Sequence, residues 1–402
     1  MAITIIDKPF TSTHNFAAGH NPCFLTVSGS NNTQTGYKHI YDIFINGTLE
    51  ARIKKAPMPN GYGAIDIHRV VENYISHDIE YADTGFVHST NMRAAVTVQI
   101  GEEYGTTQNL NVVSQQIRVW NASIPYRTFI TFDTTTVLPN YNASARFLTT
   151  PTSFRQVRGS YAWLHMIQEA TDDIAYLYVR TFNASGAGVG TYKLINANNT
   201  VTGIINQFLR VPIGSGNIAN NTITALTGTT PIIKDEVVKY DVSAYNSNDE
   251  QCSLTYTYTL LDAECLYTTY YLVFQNRYGG FDSVQFTKVS RETITTERQR
   301  FEKTDYTFPS GIFTQNIKNR GKTTFHVESK QSVQLNSDWL TDAEFEWLQE
   351  LITSPMVYSI EDNALVPIEI NTNTYEVRKS VNDGASQLVI DIEYAYQEYA
   401  TR

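Results

Sequence analysis

Charge is the first thing this sequence has little of: 17% of its 402 residues are Asp, Glu, Lys or Arg, against about 25% in an average soluble domain. The polar surface must then come largely from Asn, Thr, Ser and Gln. Cysteine is scarce as well. Cys23, Cys252 and Cys265 are too few and too scattered for a disulfide framework or a structural zinc site, so buried free thiols made in a reducing compartment are expected. No run approaches the roughly 18 apolar residues of a membrane-spanning helix. Residues 1–9 lack a basic stretch followed by a long apolar one, so no signal peptide is expected. A net charge of -10 opposes general binding to nucleic acid or to an anionic membrane. The His-Glu-x-x-His, Gly-x-Ser-x-Gly and EF-hand patterns are all missing, as are heptads and fixed-period repeats.

What is abundant points to strands and turns. Thr and the 26 Tyr favour the pleated backbone, while Asn and the 22 Gly favour turns. The expectation is a mainly β protein of several sandwich- or barrel-like modules, because the chain is too long for one ordinary core. The stretch Tyr267 to Phe286 is its most apolar hairpin. Tyr270, Leu272 and Phe274 occupy one face and Tyr271 and Val273 the other, and Asn276 to Gly280 supply the turn through two adjacent glycines able to take positive φ. Asn46-Gly47 after the run Tyr37 to Ile45 marks a second hairpin. Strand patterns recur at Ala94 to Ile100, Val113 to Val119, Phe129 to Thr131, Tyr161 to Ile167, Ile174 to Phe182, Val237 to Tyr245, Leu254 to Leu261, Val357 to Ile360, Tyr375 to Val381 and Leu388 to Tyr396. Two short amphipathic helices are predicted. One covers about 66–76, with Asp66 as N-cap, and the other about 341–353, opened by the capping box Thr341-Asp-Ala-Glu344. The turn signals divide the chain into modules at 1–105, 106–230, 231–305 and 306–402.

Chemistry is hard to find. Gly186-Ala-Gly-Val-Gly190 has no following Lys-Ser/Thr and reads as a β-turn rather than a phosphate loop. His20 and Cys23 could reach one metal ion, but the spacing supplies no further ligands. Asp262 and Glu264 are the pair of carboxylates to inspect for glycoside hydrolysis; on a β-rich surface such a pair is ordinarily solvated. No catalytic, cofactor-binding or metal-binding residue is assigned, no cofactor is expected, and the chain reads as a non-enzyme. The remaining candidates are contacts. Lys318, Arg320 and Lys322 alternate as three cations on one face of an extended segment. They either meet an acidic helix of a neighbouring subunit, carrying Asp338, Asp342, Glu344, Glu346 and Glu350, or are simply solvated. Arg277 and Tyr278, at the tip of the apolar hairpin, are the other candidate subunit contacts. Arg291, Arg298 and Arg300, interleaved with Glu292 and Glu297, read as a charged connector.

Three stretches taken together carry a resemblance. They are Tyr41-Asp-Ile-Phe-Ile-Asn-Gly47 through Gly63-Ala-Ile-Asp-Ile-His-Arg-Val-Val-Glu-Asn-Tyr74; Tyr271-Leu-Val-Phe-Gln-Asn-Arg-Tyr-Gly-Gly-Phe-Asp282; and Leu340 to Tyr358 followed by Pro367-Ile-Glu-Ile370. In this order they resemble virion structural proteins of tailed bacteriophages, particularly crAss-like and related phages of Bacteroidota. The resemblance implies a β-rich subunit of a tail, collar or baseplate ring, partnered by copies of itself and by other virion proteins, and assembled in the host cytoplasm. Every matching motif is structural, so no catalytic residue is carried over. The alternative from a different class is a carbohydrate-binding adhesin or receptor-binding protein, suggested by the aromatic richness and the Asn/Thr loops.

Overall fold

Asn46 and Gly47 take φ of +49° and +90°, the left-handed pair whose twist suits a two-residue hairpin. They join strand Lys38–Ile45 to strand Thr48–Lys55. In this computed structural model of the chain the described residues are 3–10, 15–138, 144–169, 174–197, 207–218, 223–262, 267–316, 318, 321–371, 387–396 and 398–399. The mainly β architecture expected from composition is what they form.

Two compact units are distinguished, one of residues 1–262 and 273–284, the other of 263–272 and 285–402. The first unit holds two layered assemblies. Strands Phe16–Ala18, Thr107–Trp120, Arg93–Tyr104, Lys38–Ile45 and Thr48–Lys55 form one sheet in that order, and Ile3–Asp7, Phe24–Gly29 and Tyr62–Asp66 form another. Ile43, Val96, Val98 and Val119 of the first share a core with Leu25, Val27 and Ile65 of the second, the interdigitation of a sandwich. The second assembly sets the sheet Ser153–Val157, Tyr256–Leu261, Lys239–Tyr245, Tyr176–Phe182, Gly188–Ile195, Ile223–Thr227 with the sheet Trp163–Gln168, Gln207–Pro212, Val87–Ser89. Val179, Tyr240 and Val242 meet Leu164 and Leu209 there.

The four-module division does not survive these pairings. Residue 105 lies in the turn of a hairpin whose strands pair through Tyr104 and Thr107. Residue 230 falls between strands of a single sheet, and residue 305 falls between two strands that pair with each other. Turn residues end strands, but they do not end sheets. Two local readings also change. The strand pattern at Phe129 to Thr131 does not form a strand: Tyr126–Phe129 is a helical turn after Pro125, whose carbonyl accepts from the N–H groups of Thr128 and Phe129, and residues 130–131 continue as a turn. The helix expected over 66–76 is one α-turn, His68–Val71, continued as the 3-10 turn Glu72–Tyr74. Its N-cap position is Ile67, although the Asp66 carboxylate still accepts from the His68 N–H at 3.2 Å. Cys23 is a buried free thiol, and Cys252 is buried as well.

The apolar hairpin is Tyr270–Gln275 and Phe281–Phe286. Its turn end belongs to the first unit and its open end to the second. Within the first unit the turn is pinned from several directions. Asn276 Nδ2 donates to the Leu148 carbonyl at 2.8 Å, and its Oδ1 accepts from the N–H groups of Tyr278 and Gly280. Trp120 Nε1 donates to the Tyr278 carbonyl at 3.1 Å, and Thr149 Oγ1 donates to Asp282 at 3.0 Å.

In the second unit the sheet continues through Val357–Glu361, Ala364–Ile370, Val389–Tyr394 and Lys322–Asn336 to an edge strand, Arg291–Glu302. Thr341 and Glu344 make the capping box in both directions. The helix they open runs Asp342–Trp347 and, after Leu348, Gln349–Thr353, burying Phe345, Trp347, Leu348 and Leu351. The strand expected at Tyr375 to Val381 lies outside the described residues.

Candidate functional site

Strand Gln207–Pro212 runs between Val87–Ser89 and Trp163–Gln168, in a register that sets Arg210 opposite both Val87 and His165. The guanidinium, 3% exposed, is clamped by two carboxylates. Nε and Nη2 donate to Asp83 at 2.5 and 2.9 Å, and Nη1 donates to Asp78 at 2.6 Å. His165 Nδ1 accepts from the Phe281 N–H at 3.2 Å, so the ring must be neutral. Complete burial, reinforced by the Arg210 cation, pushes the His165 pKa down to about 3.

This cluster of buried ionisable groups is where chemistry would first be sought, yet its geometry is that of a structural brace. The guanidinium fork is occupied by its own carboxylates, and Arg210, Asp83 and His165 are all enclosed in the fold. Its signature is a pH dependence. An unfolded histidine binds its proton near pH 6.5, whereas folded His165 binds it only near pH 3. The stability it contributes is therefore complete above pH 6.5 and is lost as pH falls toward 3, at about 1.4 kcal/mol per unit. His165→Asn keeps an acceptor for Phe281 and removes the titration. Urea unfolding from pH 7 to 4 should show a distinctly shallower loss of stability in this variant; an identical slope would refute the assignment. Burial also lowers the values of His39, His77 and His88, but they act equally in both proteins and cancel in the comparison.

The residues singled out by sequence are not gathered into one place. His20 Nε2 donates to Asn121 Oδ1 at 2.7 Å, while the Cys23 thiol is buried and its pKa is pushed up by that burial and by Asp66. Asp262 is 95% exposed at its side chain, 3.6 Å from Arg158 Nε, and Glu264 lies outside the described residues. Tyr278, offered as a subunit contact, is instead 8% exposed and packed with Trp120 and Leu148. Arg277 donates to Thr150 Oγ1 at 3.1 Å. The hairpin tip is turned into its own unit because its Asn and Gly residues fit against backbone there. Lys318 sits in a turn and Lys322 begins a strand, so they do not share one strand face. Arg320 lies outside the described residues.

The segment expected as a charged connector is an arm. Strand Arg291–Glu302 pairs along its whole length with Lys322–Asn336, from Arg291 opposite Gln334 to Glu302 opposite Lys322. Twelve residues of strand reach about 40 Å. Val389–Tyr394 supports the inner end at residues 332–336, and Glu398–Tyr399 pairs at Glu328 and Ser329. Farther out, among the described residues, the ribbon has two strands only, and every residue of Arg291–Glu302 is exposed. Tyr306–Thr307 and Thr314–Gln315 pair at the tip. The rings of Tyr306, Phe308 and Phe313 lie 5.6 to 5.9 Å apart. Packing on one another does not hide them: Phe308, Ile312 and Phe313 are 59%, 68% and 57% exposed. Arg300, Lys303, Lys318 and Lys322, in the flanking segments, are exposed, and Lys322 pairs with Glu302 at 3.3 Å. Isolated two-stranded ribbons are marginal in water, and a clustered exposed apolar surface marks a binding surface.

No family model matches the chain, and no curated protein matches it. Among solved structures, the chain is similar over 80% of its length, and over 69% of the other chain, to SGBP-B of the Bacteroides ovatus mixed-linkage glucan utilization locus in complex with a mixed-linkage heptasaccharide, at 9% identity and a TM-score of 0.13. A likeness of that size carries no argument about fold or ligand.

Proposed function

We propose that this chain is a non-enzymatic structural subunit of a tailed-phage virion, a ring-forming tail, collar or baseplate component that works by homo-oligomerisation and by docking to neighbouring virion proteins. The single observation that carries the assembly part of this reading is the arm, a long polar ribbon ending in exposed aromatic side chains. A lone molecule gains nothing from holding Phe308 and Phe313 in water, whereas an assembly subunit gains apolar contact area at a distance from its body. The edge strand Arg291–Glu302 supports the same reading. An edge this long invites pairing, and its alternating charges blunt indiscriminate association. The virion part rests on the resemblance of the three sequence stretches, and the host cytoplasm as the place of assembly goes with it. Mass spectrometry of purified particles of the encoding phage, with native mass measurement of the purified protein, tests the proposal. The expected result is a stoichiometric particle component that is oligomeric in solution; absence from the particle overturns the virion assignment.

A further inference from the structure

We infer that the arm tip of one copy seats on the patch around Trp339 of a second copy of this chain, an inference that rests on reading the chain as a homo-oligomeric subunit. The tip has an apolar centre, Phe308, Ile312 and Phe313, and the segments that flank it carry the exposed cations Lys303, Lys318 and Lys322, the last paired with Glu302 at 3.3 Å. The chain carries the complementary surface. Trp339 is 57% exposed, directly before the helix that the Thr341 capping box opens. Because Phe345, Trp347 and Leu348 are buried, Asp342 and Glu346, four residues apart, are left together on the outer face. Half-exposed Asp338 precedes Trp339 in the chain, accepts from the Trp339 N–H at 2.8 Å and lies 3.5 Å from Lys288. An exposed ring among carboxylates suits apolar side chains among lysines: the apolar groups exclude water while the rims pair, and an ammonium over the indole face adds attraction.

Charge balance favours a second copy over a dissimilar partner. Residues 291–330 hold eight Lys and Arg against five Asp and Glu, a net of +3 in a chain of net -10, so the remainder carries -13. Arm and body therefore attract between copies, while body and body repel. The two contacting surfaces also differ, which makes the interface head-to-tail. Such an interface closes into a ring if its rotation permits and otherwise extends as a filament.

Complementation of two full-length variants tests this. Phe308→Ser with Phe313→Ser removes the tip, and Asp342→Lys with Glu346→Lys reverses the patch; both pairs are exposed, and circular dichroism should match the wild type. At low salt the wild type is expected to associate beyond a dimer, and added salt to weaken it. Each variant alone is expected at the mass of one chain, 45.4 kDa. Mixed, they should form a one-to-one dimer, since one retains a patch and the other a tip. As a milder variant, Trp339→Ala should weaken association of the wild-type tip. An oligomeric wild type whose two variants still self-associate normally would overturn the tip-to-patch contact while leaving the assembly reading intact. A mixture that stays monomeric also overturns the contact. A wild type that is monomeric at every salt concentration would overturn both the contact and homo-oligomerisation.

Discussion

Gly280→Val is expected to cost the first unit roughly 3 kcal/mol or more, the upper range for overpacking a filled interior, and to lower the urea midpoint accordingly. A Cβ at position 280 would stand 2.5 Å from the Leu148 carbonyl oxygen and 3.1 Å from His165 Cβ. The carbonyl cannot retreat easily, because it already accepts from Asn276 Nδ2. Gly279 is constrained differently. Its φ is +83°, and a Cβ there would lie 2.0 Å from the Asn121 carbonyl oxygen. Of the two adjacent glycines, then, only Gly279 needs the left-handed region, and Gly280 is small because backbone approaches it. A Gly280→Val protein with a wild-type midpoint would show that the hairpin tip is not seated as described.

Arg210→Met should destabilise by about 3 to 5 kcal/mol, the range seen when one partner of a buried ion pair is removed. The penalty comes less from the lost attraction than from Asp83, 5% exposed at its side chain, which would be left charged without its fork of donors. Arg210→Lys should recover only part of the loss, because a point charge cannot reach both oxygens of Asp83 and also Asp78. The open pair of Arg69 and Glu72, 78% and 27% exposed at their side chains, is the control. Arg69→Met should cost distinctly less, since water can replace the lost donors. Equal losses at the two sites, read from denaturant midpoints of matched variants, would count against the buried brace.

Local grammar was legible wherever a few neighbouring residues decide the backbone. Asn46-Gly47 turned as its residues require, and Thr341 to Glu344 capped as its spacing requires. The apolar run Tyr270 to Phe274 became a strand largely buried on both faces. The arm was not legible, because the usual mark of a strand is a hydrophobic face. Arg291–Glu302 has none: Arg, Glu, Thr and Gln dominate both sides, and the strand persists because its partner supplies the hydrogen bonds. Phe308, Ile312 and Phe313 lie close together in sequence and could have been noticed as an apolar loop, but only the fold shows that nothing described covers them. The buried brace was beyond sequence altogether. Asp78, Asp83, His165 and Arg210 are brought together by strand register across more than 120 residues. The outward placement expected of Tyr278 failed for a related reason: a turn sequence specifies that the chain reverses, and says nothing of what the turn is pressed against.

The split ownership of the apolar hairpin has a consequence during synthesis. Residues 1–262 emerge from the ribosome first, yet the segment that completes them, 273–284, is made only after the chain has begun the other unit. Trp120 and Leu148 must wait for the Tyr278 carbonyl and the Asn276 side chain to arrive. The leading unit therefore cannot close as soon as its own contiguous stretch is made, as an N-terminal domain ordinarily does. A nascent chain stalled after residue 262 would be protease-sensitive, and one stalled well beyond residue 284 would not.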